Sequence, residues 1–194
     1  MTSTPLPTAI VDTNILHPAG MRDILLQVAE NELFKLKWSP EIRNELISTI
    51  RKVRPDIDHA RFKAHTLVLM DRFFRDDLVT GYEHLIDSLG GIKDKDRHVA
   101  AAAIQGSCDV ILTHDLKHFP ADVLRPHGIV AQKPDDFLVP ILLANPDEFC
   151  EAAREHRARL KNPAYDVEAY LTKLARDGLN KTAAELKYFA HLLA

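Results

Sequence analysis

Four acidic side chains stand at positions where chemistry can be expected: Asp12, Glu45, Asp96 and Asp115. Asp12 follows the apolar run Ala9-Ile10-Val11, and Asp115 closely follows Val110-Ile111-Leu112-Thr113; both places read as buried strands emptying into turns. Glu45 lies in the first turns of a helix opened by Ser39-Pro40-Glu41, and Asp96 opens an alanine-rich helix. If folding gathers these groups, their charges conflict. Two like charges about 4 Å apart repel by about 4 kcal/mol at an effective dielectric of about 20. Such a site takes up protons or a cation. An oxygen-only donor set selects a hard divalent ion, Mg²⁺ or Mn²⁺, which activates a water and neutralises charge on a phosphodiester. Asn14 and Thr113 place short polar groups at the same strand ends, suited to orienting a carboxylate or a water. Taken singly, each acid also fits a plainer role as turn former, helix cap or solvated residue.

The elements that would position these acids can be read along the chain. Strands are expected at 9–11, 34–38, 110–113 and 129–131, with a further short one at 78–80. Helical patterns cover 21–31, 40–53, about 58–74, 82–89, 94–105 and most of the chain beyond Pro134. Ser39 is the expected N-cap of its helix, with Pro40 in the first turn. Asn145-Pro146 and the capping box Thr182-x-x-Glu185 mark two later helix starts. Ala100 to Ala103 permit close backbone approach. Strands alternating with helices imply an α/β fold with a mainly parallel sheet, and such sheets place ligands beyond the carboxyl ends of their strands. The pattern is helical only from about Pro140, so residues 1–139 are expected to form the sheet domain and residues 140–194 a helical extension.

Length and composition agree with this reading. The chain has 194 residues, with 46% hydrophobic and 27% charged, and 25 basic against 28 acidic residues give a formal net charge of −3. That balance argues against a surface that is basic throughout, while leaving room for local basic patches. Two cysteines, Cys108 and Cys150, make no disulfide framework, and a cytoplasmic location is expected. Met1 to Pro7 lacks the features of a signal peptide, and no apolar run reaches the roughly 20 residues of a bilayer span.

At the four acids the sequence resembles the PIN-domain family of metal-dependent ribonucleases. The resemblance rests on Ile10-Val11-Asp12-Thr13-Asn14, Ser39-Pro40-Glu41-Ile42-Arg43-Asn44-Glu45-Leu46, Asp94-Lys95-Asp96-Arg97-His98-Val99-Ala100-Ala101-Ala102 and Leu112-Thr113-His114-Asp115-Leu116-Lys117-His118-Phe119, in the family's order. It implies a short parallel sheet of about five strands flanked by helices. It further implies an acidic pocket of Asp12, Glu45, Asp96 and Asp115 holding Mg²⁺ or Mn²⁺, and endonucleolytic cleavage of RNA. Among prokaryotic members the chain most resembles VapC-type toxins, which implies a cognate antitoxin as partner and leaves a homodimer open. Two departures stand out: His118 occupies a place where many relatives carry an aspartate, and the helical extension exceeds a minimal PIN domain.

Other readings carry less. His114 and His118 sit four residues apart but have no cysteine pair beside them to complete a zinc site. No GxxxxGK[ST] or GxGxxG loop occurs, so a phosphate cradle of either kind is lacking. A haloacid-dehalogenase-like site would want an aspartate where Asn14 stands. Basic residues cluster at Arg51-Lys52-Val53-Arg54, at Lys93, Lys95 and Arg97, and from Arg154 to Lys161. Lys93, Lys95 and Arg97 are the favoured RNA contacts, whereas Arg154 to Lys161 read as a solvated helix face containing a Glu155–Arg159 pair. His98 and His118 read as contacts to substrate phosphate or as surface residues, the surface reading being favoured, and Trp38 and Phe73-Phe74 as core. The sequence therefore points to a metal-dependent endoribonuclease, with a catalytically silent PIN-like module that binds RNA or a protein as the alternative.

Overall fold

The computed structural model describes residues 5–62 and 78–194. The expected helix over about 58–74 therefore falls largely outside the described residues, as do Phe73 and Phe74; its described part is α4, His59–Phe62. Within the described chain the contacts define two compact units. One comprises Pro7–His17 with Lys35–Gln132, the other Pro18–Phe34 with Lys133–Ala194.

The first unit is built on a parallel sheet of β1 (Thr8–Val11), β2 (Lys35–Lys37), β3 (Val110–Leu112) and β4 (Val130–Gln132), in the order β2-β1-β3-β4. β1 is interior, which explains its continuous apolar run: Ala9, Ile10 and Val11 are fully buried. A single parallel bridge between Trp38 and Leu78 adds a position beside β2, where the sequence suggested a further short strand. The chain leaves β1 towards β2 and returns on β1's other side as β3. That reversal of strand order puts the crevice between β1 and β3 at their carboxyl ends.

Helices flank this sheet. α1 (Thr13–Leu16) begins directly after Asp12, and α3 spans Pro40–Val53. In α3 the Ser39 side chain accepts a hydrogen bond from the Ile42 amide at 3.2 Å, as its sequence position suggested, and Ile42, Leu46 and Ile50 face the core. α5 (Arg97–Gln105) packs through Ala100 to Ala103, all fully buried, against β1 and β3. The helix expected over 94–105 divides here: Asp94–Asp96 form a 3-10 turn before α5 begins. The segment 82–89 is likewise 3-10 over Glu83–Ser88. α6 (Ala121–Leu124) precedes β4.

The second unit is helical. It contains α2 (Ala19–Glu30), α7 (Pro134–Ala144), α8 (Pro146–Arg159), α9 (Val167–Arg176) and α10 (Asn180–Leu186). Two sequence expectations change here. Thr182 lies inside α10, not at its cap, because Asp135 in the first turn of α7 takes over the capping. Asp135 accepts from the Lys181 amide, the Thr182 amide and the Thr182 hydroxyl, each at 2.8 Å. Nor do Glu155 and Arg159 pair along α8. α2 docks beside that helix, so Glu155 accepts from Gln27 Nε2 at 2.7 Å and Arg159 lies 3.7 Å from Glu30.

His156 and Tyr170 are buried within this unit, with the imidazole Nδ1 2.9 Å from the phenol oxygen. Burial, reinforced by Lys173 and Arg159, pulls the His156 imidazole down to about 3. An unfolded chain's histidine takes up its proton near pH 6.5, so the folded form gains full benefit above that value and loses it as pH falls towards 3. At 1.36 kcal/mol per unit, roughly 3 kcal/mol is expected to be lost between about pH 7 and pH 4. Denaturant titrations followed by far-UV circular dichroism across this range will measure the loss, and His156→Gln is expected to reduce the slope.

Candidate active site

Each of the four acids reaches its place for a local reason. The β1–β3 ladder runs one bond further through the Asp12 amide, which donates to the Leu112 carbonyl at 2.9 Å. Thr113 is pinned to β4 in the same way by its amide on the Gln132 carbonyl, also 2.9 Å. Asp12 and Asp115 therefore emerge side by side at the switch point. Glu45 stands one residue off the buried stripe of α3, and its side chain remains 39% exposed. The Asp96 amide donates to the Lys93 carbonyl at 2.8 Å, and the side chain is buried at the junction of the 3-10 turn with α5.

All four line one cleft of about 550 Å³, together with Thr13, Asn14, His17, Lys52, Lys95, His98 and His118 among its walls. Asn14 is the centre of the hydrogen bonding. Its amide nitrogen reaches Asp12 Oδ2 at 2.7 Å, Thr113 Oγ1 at 3.1 Å and Asp115 Oδ2 at 3.4 Å. The Thr113 hydroxyl donates to Asp12 Oδ2 at 2.8 Å and accepts from the Asp115 amide at 3.0 Å. Both residues thus hold Asp12, in the manner expected of groups that orient a carboxylate. Thr113 is fully buried although polar, because it is satisfied on both sides.

The electrostatics are those of crowded acids. Burial pushes the Asp12 carboxyl above its ordinary range; bonds from Thr113 and Asn14 pull against this, and the charges of Asp96 and Glu45 add to the rise. Glu45 goes the other way. Burial would raise it, but bonds from His98 and Thr13 outweigh that effect and hold its carboxyl low. His98 is correspondingly held high: burial disfavours its charge, while Glu45, Glu41 and Asp12 favour it.

Several residues differ from their sequence reading. His98 is 4% exposed, not a surface residue, since it occupies the inner face of α5 beside two glutamates of α3. His118 lines the cleft, with Nδ1 3.3 Å from Asp96 Oδ2 and Nε2 3.5 Å from Lys93 Nζ. Lys95 reaches over the cleft, 4.0 Å from Asp96. Arg97 turns instead to Asp94 at 2.9 Å and to the Ile92 carbonyl at 2.9 Å. Thr13 was not singled out in the sequence, yet its hydroxyl donates to Glu45 Oε2 at 2.5 Å. Lys52 was visible only as part of a basic run; its spacing of seven residues from Glu45 is the helical signal that places it on the same side of α3.

The donor set suits a hard divalent cation. It is all oxygen, Asp12 carries the cost of its neighbours' charges, and the buried Asp96 Oδ2 accepts no hydrogen bond from the described residues, His118 being out of line for one. Among the described residues, however, no group of three or more His, Cys, Asp and Glu side chains is spaced to ligate one ion.

A short parallel sheet with helices around it, and acids gathered where its strand order reverses, is an α/β arrangement consistent with the PIN-like fold. Comparison with known proteins supports the same recognition. Residues 134–187 match the family described as VapC50 C-terminal domain. A protein of Mycobacterium tuberculosis named "Putative ribonuclease VapC50" is 51% identical over 59 residues, which is 30% of this chain and 34% of that relative's length. The aligned part thus spans about a third of the curated relative. No solved structure matches the chain. The VapC-type resemblance read from the four acidic motifs is borne out by these matches, and none of those motifs falls within residues 134–187. Among the described residues, no helix is long and apolar enough to cross a membrane.

The crowding predicts a measurable asymmetry. Asp12→Asn keeps an oxygen for Thr113 and Asn14 but removes one of the repelling charges, and is expected to raise stability by about 1 kcal/mol in metal-free buffer. Thr113→Val leaves the Asp115 amide without its acceptor and is expected to cost about 1–3 kcal/mol. Thermal unfolding of the two variants beside the wild type checks both signs.

Proposed function

We propose that this protein is a divalent-metal-dependent endoribonuclease acting as the toxin of a toxin–antitoxin pair. One observation carries the reading: four carboxylates from separate segments of chain share a cleft at the carboxyl end of a parallel sheet, with lysines at its rim. The partial likeness to a protein named as a VapC ribonuclease supports the toxin assignment.

Asp12, Glu45, Asp96 and Asp115 are the residues that would hold Mg²⁺ or Mn²⁺. When bound, the cation supplies activation of a water and neutralisation of charge on the phosphodiester. The protein's own groups do the rest. Asn14 and Thr113 fix the direction of Asp12, and Asn14 also reaches Asp115. Lys52 of α3 and Lys95 of the 3-10 turn line the cleft and attract the phosphates that flank the scissile bond. Lys93 serves the same backbone from beside His118, and Arg97 acts at most through the local turn it braces. The phosphorus is attacked by water, with no covalent link to the protein.

Cleavage of varied single-stranded and structured RNAs with Mn²⁺, with and without EDTA, tests the reading. Activity is expected to require the metal and to fall by more than about 100-fold in Asp12→Asn. Lys52→Ala and Lys95→Ala are expected to raise KM and to flatten its dependence on salt, each by roughly one phosphate contact. Cleavage indifferent to EDTA and to Asp12→Asn rules the mechanism out. A folded wild type that binds RNAs without cutting any of them points to the silent binding module. Growth arrest on expression, relieved by a co-expressed neighbouring protein, is the expected outcome for a toxin.

A further inference from the structure

His98 is a group in this cleft whose chemistry the proposed function does not use. It comes from the first turn of α5, two residues after Asp96, and is 4% exposed. A histidine so deeply buried between helices normally ends in a complete hydrogen-bond set. Here Nε2 lies 3.2 Å from Glu45 Oε1, while Nδ1 lies 3.7 Å from Glu41 Oε2 and makes no hydrogen bond among the described residues. Glu41 and Glu45 are one helical turn apart on α3, so the imidazole is wedged against a single face of that helix.

The Nε2 side of the ring faces Glu45 Oε1 as a close ion-pair contact, in which an ionised carboxylate can only accept. The other oxygen, Oε2, is taken by the Thr13 hydroxyl at 2.5 Å. Glu45 is therefore held from two directions, by α5 through His98 and by the start of α1 through Thr13. Without those bonds a glutamate at this place has three free side-chain torsions and 39% exposure, and nothing in α3 itself would aim it at the cleft.

We infer that His98 is a positioning residue for Glu45: its Nε2 side, with the Thr13 hydroxyl opposite, keeps the Glu45 carboxylate in the cleft that it shares with Asp12 and Asp96, where it would serve as an oxygen donor to a divalent cation. The inference rests on the metal reading proposed above. Groups that hold a ligating carboxylate in this way typically change metal affinity by about 10–100-fold when removed.

Binding of Mn²⁺, followed by the loss of the free-ion electron paramagnetic resonance signal, tests this without any catalytic readout. His98→Leu removes the donor and is expected to weaken Mn²⁺ binding by about 10-fold or more. His98→Gln carries an amide N–H to a similar reach and is expected to stay within about 3-fold of wild type. His98→Asn has the same chemistry on a stem too short to reach Glu45 and is expected to bind like His98→Leu. Thr13→Val, which frees the opposite oxygen, is expected to weaken binding in the same direction. Circular dichroism establishes that each variant is folded, and the Gln/Asn comparison carries the test if His98→Leu is not. Equal affinities for the Gln and Asn variants, or a folded His98→Leu that binds as wild type does, overturn the inference while leaving the metal reading intact. A wild type that takes up no Mn²⁺ removes the metal reading itself, and the role of His98 with it.

Discussion

The repulsion among carboxylates at the open end of the sheet is the constraint around which the first unit is arranged. Each acid arrives from a different part of the chain, and two of them are held by other residues: Asp12 by hydrogen bonds from Asn14 and Thr113, Glu45 by the Thr13 hydroxyl and the nearby His98 imidazole. These bonds do two things. They replace part of the solvation lost on burial, and they oppose the movement apart that would relieve the charges. The raised Asp12 carboxyl records how incomplete that compensation is. A fold selected for stability alone would separate these groups, and their closeness is stability given up for a site.

The sheet makes this arrangement possible. With β1 interior and flanked by β2 and β3, its carboxyl end opens at the point where the chain reverses direction across the sheet. The strands are three or four residues long, and little backbone separates the apolar core from the polar rim. The alanine run of α5 lets that helix lie close to β1 and β3, which brings Asp96 and His98 to the rim as well. Substituting bulk into that run would move the acid and the imidazole together.

Much of this could be read in the sequence, because the governing signals are local. Strand ends followed by Asp12 and by Thr113, the Ser39 cap with Pro40, and the fully apolar run of an interior strand all depend on residues adjacent in the chain. The interactions that escaped reading are those between elements far apart in sequence. His98 looks like a surface histidine until α3 is placed beside α5, and Thr13 is only a turn residue until Glu45 is brought to it. The same holds in the second unit. Glu155 and Arg159 have ideal helical spacing, but α2 offers each a better-placed partner.

Asp135 illustrates a further consequence of capping from a distance. The amides at the start of α10 are met by a carboxylate 46 and 47 residues upstream in the chain, and not by a side chain of their own turn. A seven-residue helix has little tendency to nucleate alone, and this one also lacks a local initiator. Its coiling and its docking on α7 must therefore be one event. The start of α10 is then ordered only once α7 is in place, and it acts as a latch on that helix and not as a nucleus for it.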